Sequence, residues 1–321
     1  MTSKSDVFYA KIMLFGEYSV ICNSMGLTIP YVHFKGGMEF LSQYSYTDYD
    51  FASESNRMLS EYFKYLNTLQ DKGELLFELD TEHFTRDLKR NIFFESTIPQ
   101  GYGIGSSGAL CAAIYERYAS NRIKSQRRMR QEDMHLLKQI FAQMENYFHG
   151  VSSGIDPLIC YMKYPLLITR DNDICVVGIP RNKFPRGGAI FLIDTGQPGS
   201  TQPLVNLFFK KCENDAYKNR MDEVLIPLND KCINSLLEGQ NEVFFSTLQE
   251  LSEFQYNHFR PMIPEQMMSL WKSGLKNEHY TLKLCGSGGG GFILGFTRNF
   301  DASMSALKNQ GHRVITVYKN R

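Results

Sequence analysis

None of the seven cysteines, at positions 22, 111, 160, 175, 212, 232 and 285, belongs to a CxxC pair, and most lie inside apolar stretches. That spacing and the odd count argue against a zinc site and a disulfide scaffold. The expectation is a reduced, cytoplasmic protein with buried thiols. An excess of charge is also missing. With 35 basic and 34 acidic residues the net charge is +1, so no global field draws in nucleic acid or an anionic membrane. Any anion must be held by a local device. The opening MTSKSDVFYAKIMLFGEY has only a short apolar run, broken by Gly16 and Glu17, which is too little for a secretory leader. Nothing approaches a membrane-spanning length, and there is no internal repeat.

The chain does have 321 residues and 43% apolar composition, enough for two domains with sizeable cores. Lys11 to Ile21 reads as two short strands joined at Gly16, and Tyr31 to Leu41 continues the β character. Met58, Leu59, Tyr62, Phe63 and Leu66 fall at helical spacing within Ser53 to Leu69. Arg90 to Ile98 is a strand that must stop at Pro99, and Ser106 to Ala119 is a helix opening on Ser, an N-cap residue type. A further helix runs from Glu132 to Phe148, with β-like runs around Leu166 to Thr169 and Ile174 to Ile179. The segment Pro180 to Gly188, with two prolines and two glycines, marks a domain boundary, which predicts domains 1–180 and 181–321. The second half reads strand, three helices, strand, glycine run, strand, helix, strand, a compact α+β unit.

Two glycine-rich loops carry the chemistry. In ESTIPQGYGIGSSGAL, Gly101, Gly103 and Gly105 alternate and are followed by Ser106 and Ser107 at a helix start. Glycines let several N–H groups converge on one anion, the helix N-terminus adds partial positive charge, and the serines add hydroxyls for phosphate or Mg²⁺. The spacing is neither a P-loop nor a Rossmann loop. By itself it reads equally well as a structural turn. The second loop, CGSGGGG at Cys285 to Gly291, lies between two apolar strands and reads as a hairpin turn, a linker, or a loop that something must approach closely; the last is preferred.

Phosphoryl transfer needs a metal site, a positive group and an acceptor for a hydroxyl proton. MENYFHGVSSGIDP supplies Glu145 and Asp156, and Lys11 precedes an apolar run. Taken singly, a surface ion pair explains Glu145, a turn explains Asp156, and an exposed strand start explains Lys11. His149 has no partner at ligand spacing and reads as a helix C-terminal cap, and Cys285 as a packed thiol. The basic stretch Lys124 to Arg130 reads as a solvated loop.

Three separated motifs resemble those of the GHMP kinases, the superfamily of galactokinase, homoserine kinase, mevalonate kinase and phosphomevalonate kinase. They are Lys11 to Ile21, Pro99 to Ala109, similar to P-x-G-x-G-L-G-S-S-A-A, and Lys283 to Gly291, similar to K-L-T-G-A-G-G-G-G. HGVSSGIDP and DTGQPGSTQPLV are most similar to segments of mevalonate kinases. The resemblance implies a two-domain α+β fold, with an N-terminal ATP-binding domain like ribosomal protein S5 domain 2 and a ferredoxin-like C-terminal domain. It implies Asp156 and Lys11 as catalytic residues, Ser107 and Glu145 as Mg²⁺ ligands, and ATP contacts from Ser96, Gly101, Gly103, Gly105, Ser106, Ser107, Gly286, Gly288 and Gly289. Glu17, Tyr18, Ser153 and Thr201 are implied near the substrate. The implied reaction moves the γ-phosphoryl of ATP to a small alcohol, mevalonate first, with phosphomevalonate, a sugar or another alcohol as alternatives, or a nucleotide-binding regulator without turnover. A homodimer is compatible with this reading. The sequence departs from the mevalonate kinase pattern at Tyr18 (there His, whereas GEY is more like phosphomevalonate kinases), Gly108 (Ala), Ser152 (Pro) and Ser287 (Ala).

Overall fold

The chain alternates strands and helices in an α+β arrangement. The computed structural model describes residues 6–41, 48–180, 183–277, 279–308 and 311–320. Residues 181–182 of the expected boundary segment lie outside these. The chain forms two compact units, one of Met1–Lys11, Pro30–Ile98 and Gly105–Tyr164, the other of Ile12–Ile29, Pro99–Ile104 and Pro165–Arg321. The reading from sequence divides the chain instead at 180/181. The divisions between units fall inside strands β1 (Phe8–Phe15) and β2 (Gly26–Phe40), at the two ends of Pro99–Ile104 in the first glycine loop, and after Tyr164.

In the first unit, β3 (Ile92–Ser96) runs antiparallel to the end of β2, from Gly36↔Ser96 to Phe40↔Ile92. The unit also holds five helices: α1 (Tyr49–Asp71), α2 (Thr81–Lys89), α3 (Ser106–Tyr118), α4 (Gln131–His149) and α5 (Ile155–Met162), of which α1 and α2 pack on β3. α1 starts where the Asp48 carboxylate accepts the N–H groups of Asp50 and Phe51, and of its expected apolar face it buries Leu59, Tyr62 and Leu66 while Met58 is exposed. The Tyr62 hydroxyl donates to the Met144 carbonyl of α4 at 2.8 Å, so the buried ring has a polar partner. In α2, Phe84 stacks on Tyr118 with ring centroids 3.9 Å apart, and buried Asp87 accepts two hydrogen bonds from Arg117.

Two local expectations need correction. Tyr18 to Ile21 is not a strand: Ser19 to Cys22 is a 3₁₀ turn, because Gly16 (φ 118°) and Tyr18 (φ 61°) turn the chain and the Val20 N–H donates back to the Gly16 carbonyl. α2 and α5 are absent from the reading of the sequence. α5 opens on Gly154 in the left-handed region, and its Pro157 sits in the first turn, where no N–H is needed.

In the second unit, β6 (Ala189–Asp194), β7 (Thr281–Leu284), β8 (Phe292–Thr297) and β9 (Val314–Lys319) form an antiparallel sheet in the order β7-β8-β6-β9. With helices between β6 and β7 and α11 (Phe300–Lys308) between β8 and β9, this is a βαββαβ unit of ferredoxin-like order. Five α-helices rather than three precede β7: α6 (Thr201–Cys212), α7 (Asp215–Arg220), α8 (Ile226–Glu238), α9 (Asn241–His258) and α10 (Met268–Lys276). The same unit pairs the start of β2 with β4 (Leu166–Ile168), and β4 with β5 (Ile174–Val176). Phe15, Phe244 and Phe296 meet in its core. Among the described residues no helix is long and apolar enough to cross a membrane.

Candidate active site

The first unit gathers Lys11, Ser107, Glu145 and Asp156. Lys11 emerges from β1 into the protein rather than into solvent; it is 3% exposed, and its Nζ lies 2.8 Å from the Asp156 Oδ2. The expectation of an exposed strand-start lysine therefore gives way to a buried cation held by a half-buried carboxylate. Asp156 stands in the first turn of α5, where a negative charge is favoured by the helix N-terminus.

Glycines make this approach feasible. Gly105 is the residue before α3, with φ 81°, and a Cβ there would sit 2.8 Å from the Lys11 Cγ. The lysine stem thus passes directly over the phosphate-loop candidate. At Gly108 a Cβ would lie 2.8 Å from the Asp156 carbonyl carbon and from the Pro157 nitrogen. α3 and α5 can therefore touch only with glycine at 108, which gives the departure from Ala a physical reason.

Glu145 is buried in α4 and held by hydroxyls. The Ser107 hydroxyl donates to its Oε1 at 2.8 Å, and the Ser152 hydroxyl donates to its Oε2 at 2.5 Å. Burial, and then the neighbouring charge of Asp156, push the Glu145 carboxyl up to about 7, opposed by the two hydroxyl bonds and by Lys11. A carboxylate in this position is short of positive charge.

His149 corrects its expectation. The backbone cap of α4 comes from the Gly150 N–H on the Asn146 carbonyl, while the His149 Nε2 lies 3.1 Å from the Ser107 Oγ. Its side chain belongs to the site because it follows Glu145 by four residues, on the same helical face. Ser152 and His149 are the residues that reading from sequence missed as site members; the signals were the departure from Pro at 152 and this helical spacing. Ser153 accepts the Ile155 N–H at 3.4 Å, and Ser96, at the end of β3, accepts the Ile98 N–H at 3.1 Å. Ser106 is the first residue of α3, at the end where backbone N–H groups lack helical acceptors.

The remaining sequence-predicted residues fall in the second unit, where the glycine run is packed by its own chain. A Cβ at Gly288 would lie 2.3 Å from the Met262 carbonyl oxygen, and one at Gly291 2.6 Å from the Tyr102 Cα. The Gly289 N–H donates to Met262 and the Gly291 N–H to Gln197. Gly286 and Gly289 share the positive φ of the run, at 73° and 76°. A flexible linker is excluded by these bonds. Gly103 (φ 71°) abuts the Cys285 carbonyl, and the Gly101 carbonyl accepts the Gly199 N–H at 2.7 Å.

Glu17 and Tyr18 serve this scaffold. Lys283 donates to the Glu17 Oε1 at 2.6 Å, with both side chains buried, and to its neighbour's carbonyl at Leu284. The Tyr18 hydroxyl donates to the Ser287 carbonyl at 2.6 Å, and its ring packs on Phe208 and Phe259. Burial raises the Tyr18 phenol above its ordinary range, so it stays a donor. The Ser287 hydroxyl in turn donates to the Thr201 Oγ1 at 3.0 Å.

Residues 69–164 match the family described as GHMP kinases N terminal domain. A mevalonate kinase from Dictyostelium discoideum is 23% identical over 244 residues, covering 68% of this chain and 60% of that protein. Among solved structures, L. major mevalonate kinase in complex with R-mevalonate superposes with TM-score 0.62 at 16% identity, over 99% of this chain and 97% of that one. Streptococcus pneumoniae phosphomevalonate kinase in complex with phosphomevalonate and AMPPNP does so with TM-score 0.60 at 13% identity, over 98% and 100%. At these identities the structural likeness establishes a shared fold.

Proposed function

We propose that this chain is a member of the GHMP kinase superfamily that transfers the γ-phosphoryl group of ATP to the hydroxyl of a small alcohol, with mevalonate the first candidate. The observation that carries the reading is the Lys11 to Asp156 pair, 2.8 Å apart, in the unit that also joins Ser107 to Glu145. A nucleotide-binding regulator has no use for a buried cation held against a carboxylate at such a place.

In this reading the N-terminus of α3, with Gly105, Ser106 and Ser107, receives phosphate oxygens on backbone N–H groups. Ser96, Gly101, Gly103, Gly286, Gly288 and Gly289 are the further proposed nucleotide contacts. Asp156 orients the substrate hydroxyl and takes its proton late, since a carboxylate is a weak base for an alcohol. Lys11 stabilises the negative charge that develops on the attacking oxygen. A cation at ~4 Å contributes about 4 kcal/mol at an effective dielectric of 20, nearly three powers of ten in rate. Electrostatics and positioning thus supply the larger share.

Mg²⁺ fits the donor set. Among the described residues there is no cluster of three metal-ligating side chains, which disfavours an all-protein cage. One buried carboxylate short of positive charge and one hydroxyl match an ion that keeps several waters and is completed by phosphates. Glu145 and Ser107 would hold it, and when bound it supplies charge neutralisation across the β- and γ-phosphates.

Ser153 and Thr201 are the proposed substrate contacts, while Glu17 and Tyr18 act through Lys283 and Ser287. A second reading, phosphomevalonate as acceptor, is favoured by Tyr18 in the GEY motif. The deciding experiment incubates the purified protein with Mg-ATP and mevalonate, phosphomevalonate, homoserine or sugars, and identifies products by mass spectrometry. Phosphorylated mevalonate is expected; tight ATP binding with no product from any alcohol favours the regulator.

A further inference from the structure

We propose that Ser152 is a positioning residue that aims the Glu145 carboxylate at a nucleotide-borne divalent cation, a role resting on the kinase reading above. The carboxylate is gripped at both oxygens, by the Ser107 hydroxyl on Oε1 and by the Ser152 hydroxyl on Oε2. Only Ser107 is itself a proposed ligand. The second hydroxyl fixes the remaining rotation of the carboxylate plane.

Ser152 is equipped for this by the loop between α4 and α5. Its N–H donates to the Asn146 Oδ1 at 2.8 Å, and its Oγ accepts the Gly154 N–H at 3.0 Å. The hydroxyl proton therefore has one direction left, toward Glu145. Gly154 anchors the loop from below: its φ is 72°, and a Cβ there would sit 2.1 Å from the Lys138 carbonyl oxygen. Ser152 thus links the end of α4 to the start of α5, two residues before the glycine that opens Asp156's helix. A proline, which the resemblance places at 152, has neither the N–H nor the hydroxyl. In this chain hydrogen bonds perform the task that ring stiffness performs there.

The grip also settles the polarity of the network. Ser107 spends its only proton on Glu145, so its lone pairs face His149 and the position of a cation. Loss of Ser152 leaves Glu145 held at one oxygen, free to rotate away from Ser107.

The test measures Mn²⁺ binding to the full-length protein with AMPPNP by electron paramagnetic resonance, beside metal-free AMPPNP affinity and thermal unfolding. Ser152→Ala should weaken Mn²⁺ binding about tenfold, the scale of one hydrogen bond to a charged group, with metal-free nucleotide affinity unchanged. Ser152→Thr keeps the hydroxyl and should return to within about twofold of wild type. Unchanged Mn²⁺ affinity in the alanine variant overturns the proposal alone, as does a threonine variant as weak as alanine while equally folded. A wild-type protein that binds no Mn²⁺ with AMPPNP overturns the kinase reading, and this proposal with it.

Discussion

Glu145 has the most telling electrostatics of any single residue here. Its carboxyl is raised from 4.5 to about 7 by burial and by Asp156. The sign follows from linkage. Below the unfolded value both states are protonated and nothing is lost; above the folded value both are ionised and the fold carries the full cost; between them the cost grows with pH. Without ligand, Glu145→Gln should therefore unfold at a higher temperature than wild type at pH 8, by at most about 3 kcal/mol in stability, with the gain fading toward pH 4.5. Calorimetry across this range checks it, and Mg-AMPPNP should stabilise wild type more than the variant. Asp156→Asn should lower turnover by about 10²–10⁴-fold with ATP affinity nearly intact, as read from steady-state kinetics and equilibrium titration. Near-normal turnover would remove Asp156 from its role.

At the scale of elements, the contact of α3 with α5 depends on two residues without side chains. Gly108→Ala places a methyl 2.8 Å from the backbone that carries Asp156. The helices must separate, at a cost of about 1–3 kcal/mol in denaturant unfolding, and turnover should fall more than ATP affinity because Asp156 moves with α5. Gly105→Val acts at the other end of the contact. Its φ of 81° strains any side chain, and the new Cβ meets the Lys11 stem, so ATP affinity itself should drop. Unchanged affinity would mean that the loop is only a turn. The long periodic helices α1 and α4 are legible in the sequence, because their apolar faces repeat over several turns. α5 was not, since eight residues that are almost wholly buried show no polar face to set a period.

For the molecule as a whole, the second unit is tied together by Lys283 and Glu17, 266 residues apart and both buried. Lys283→Met leaves the Glu17 carboxylate buried without its cation, which should cost about 3–5 kcal/mol in urea unfolding. Replacing Glu17 by Leu as well should return much of it, because the pair rather than either charge is what the core tolerates.

The order of the motifs, the glycine loops and the balance of charge are properties of the chain alone. They were enough to indicate the α+β class, because backbone freedom at glycine and helical periodicity are local, while Lys11, Glu145 and Asp156 came together as a set only through the resemblance of the motifs to those of the GHMP kinases. Partnership is not local. That Lys11 is buried against Asp156, that Ser152 and His149 join Glu145 and Ser107, and that Glu17 answers Lys283 instead of solvent depend on segments far apart in sequence meeting at hydrogen-bond distance. Burial then decides the chemistry, since a carboxylate that is an ordinary surface charge in water is pushed up to about 7 by burial and by its neighbour Asp156.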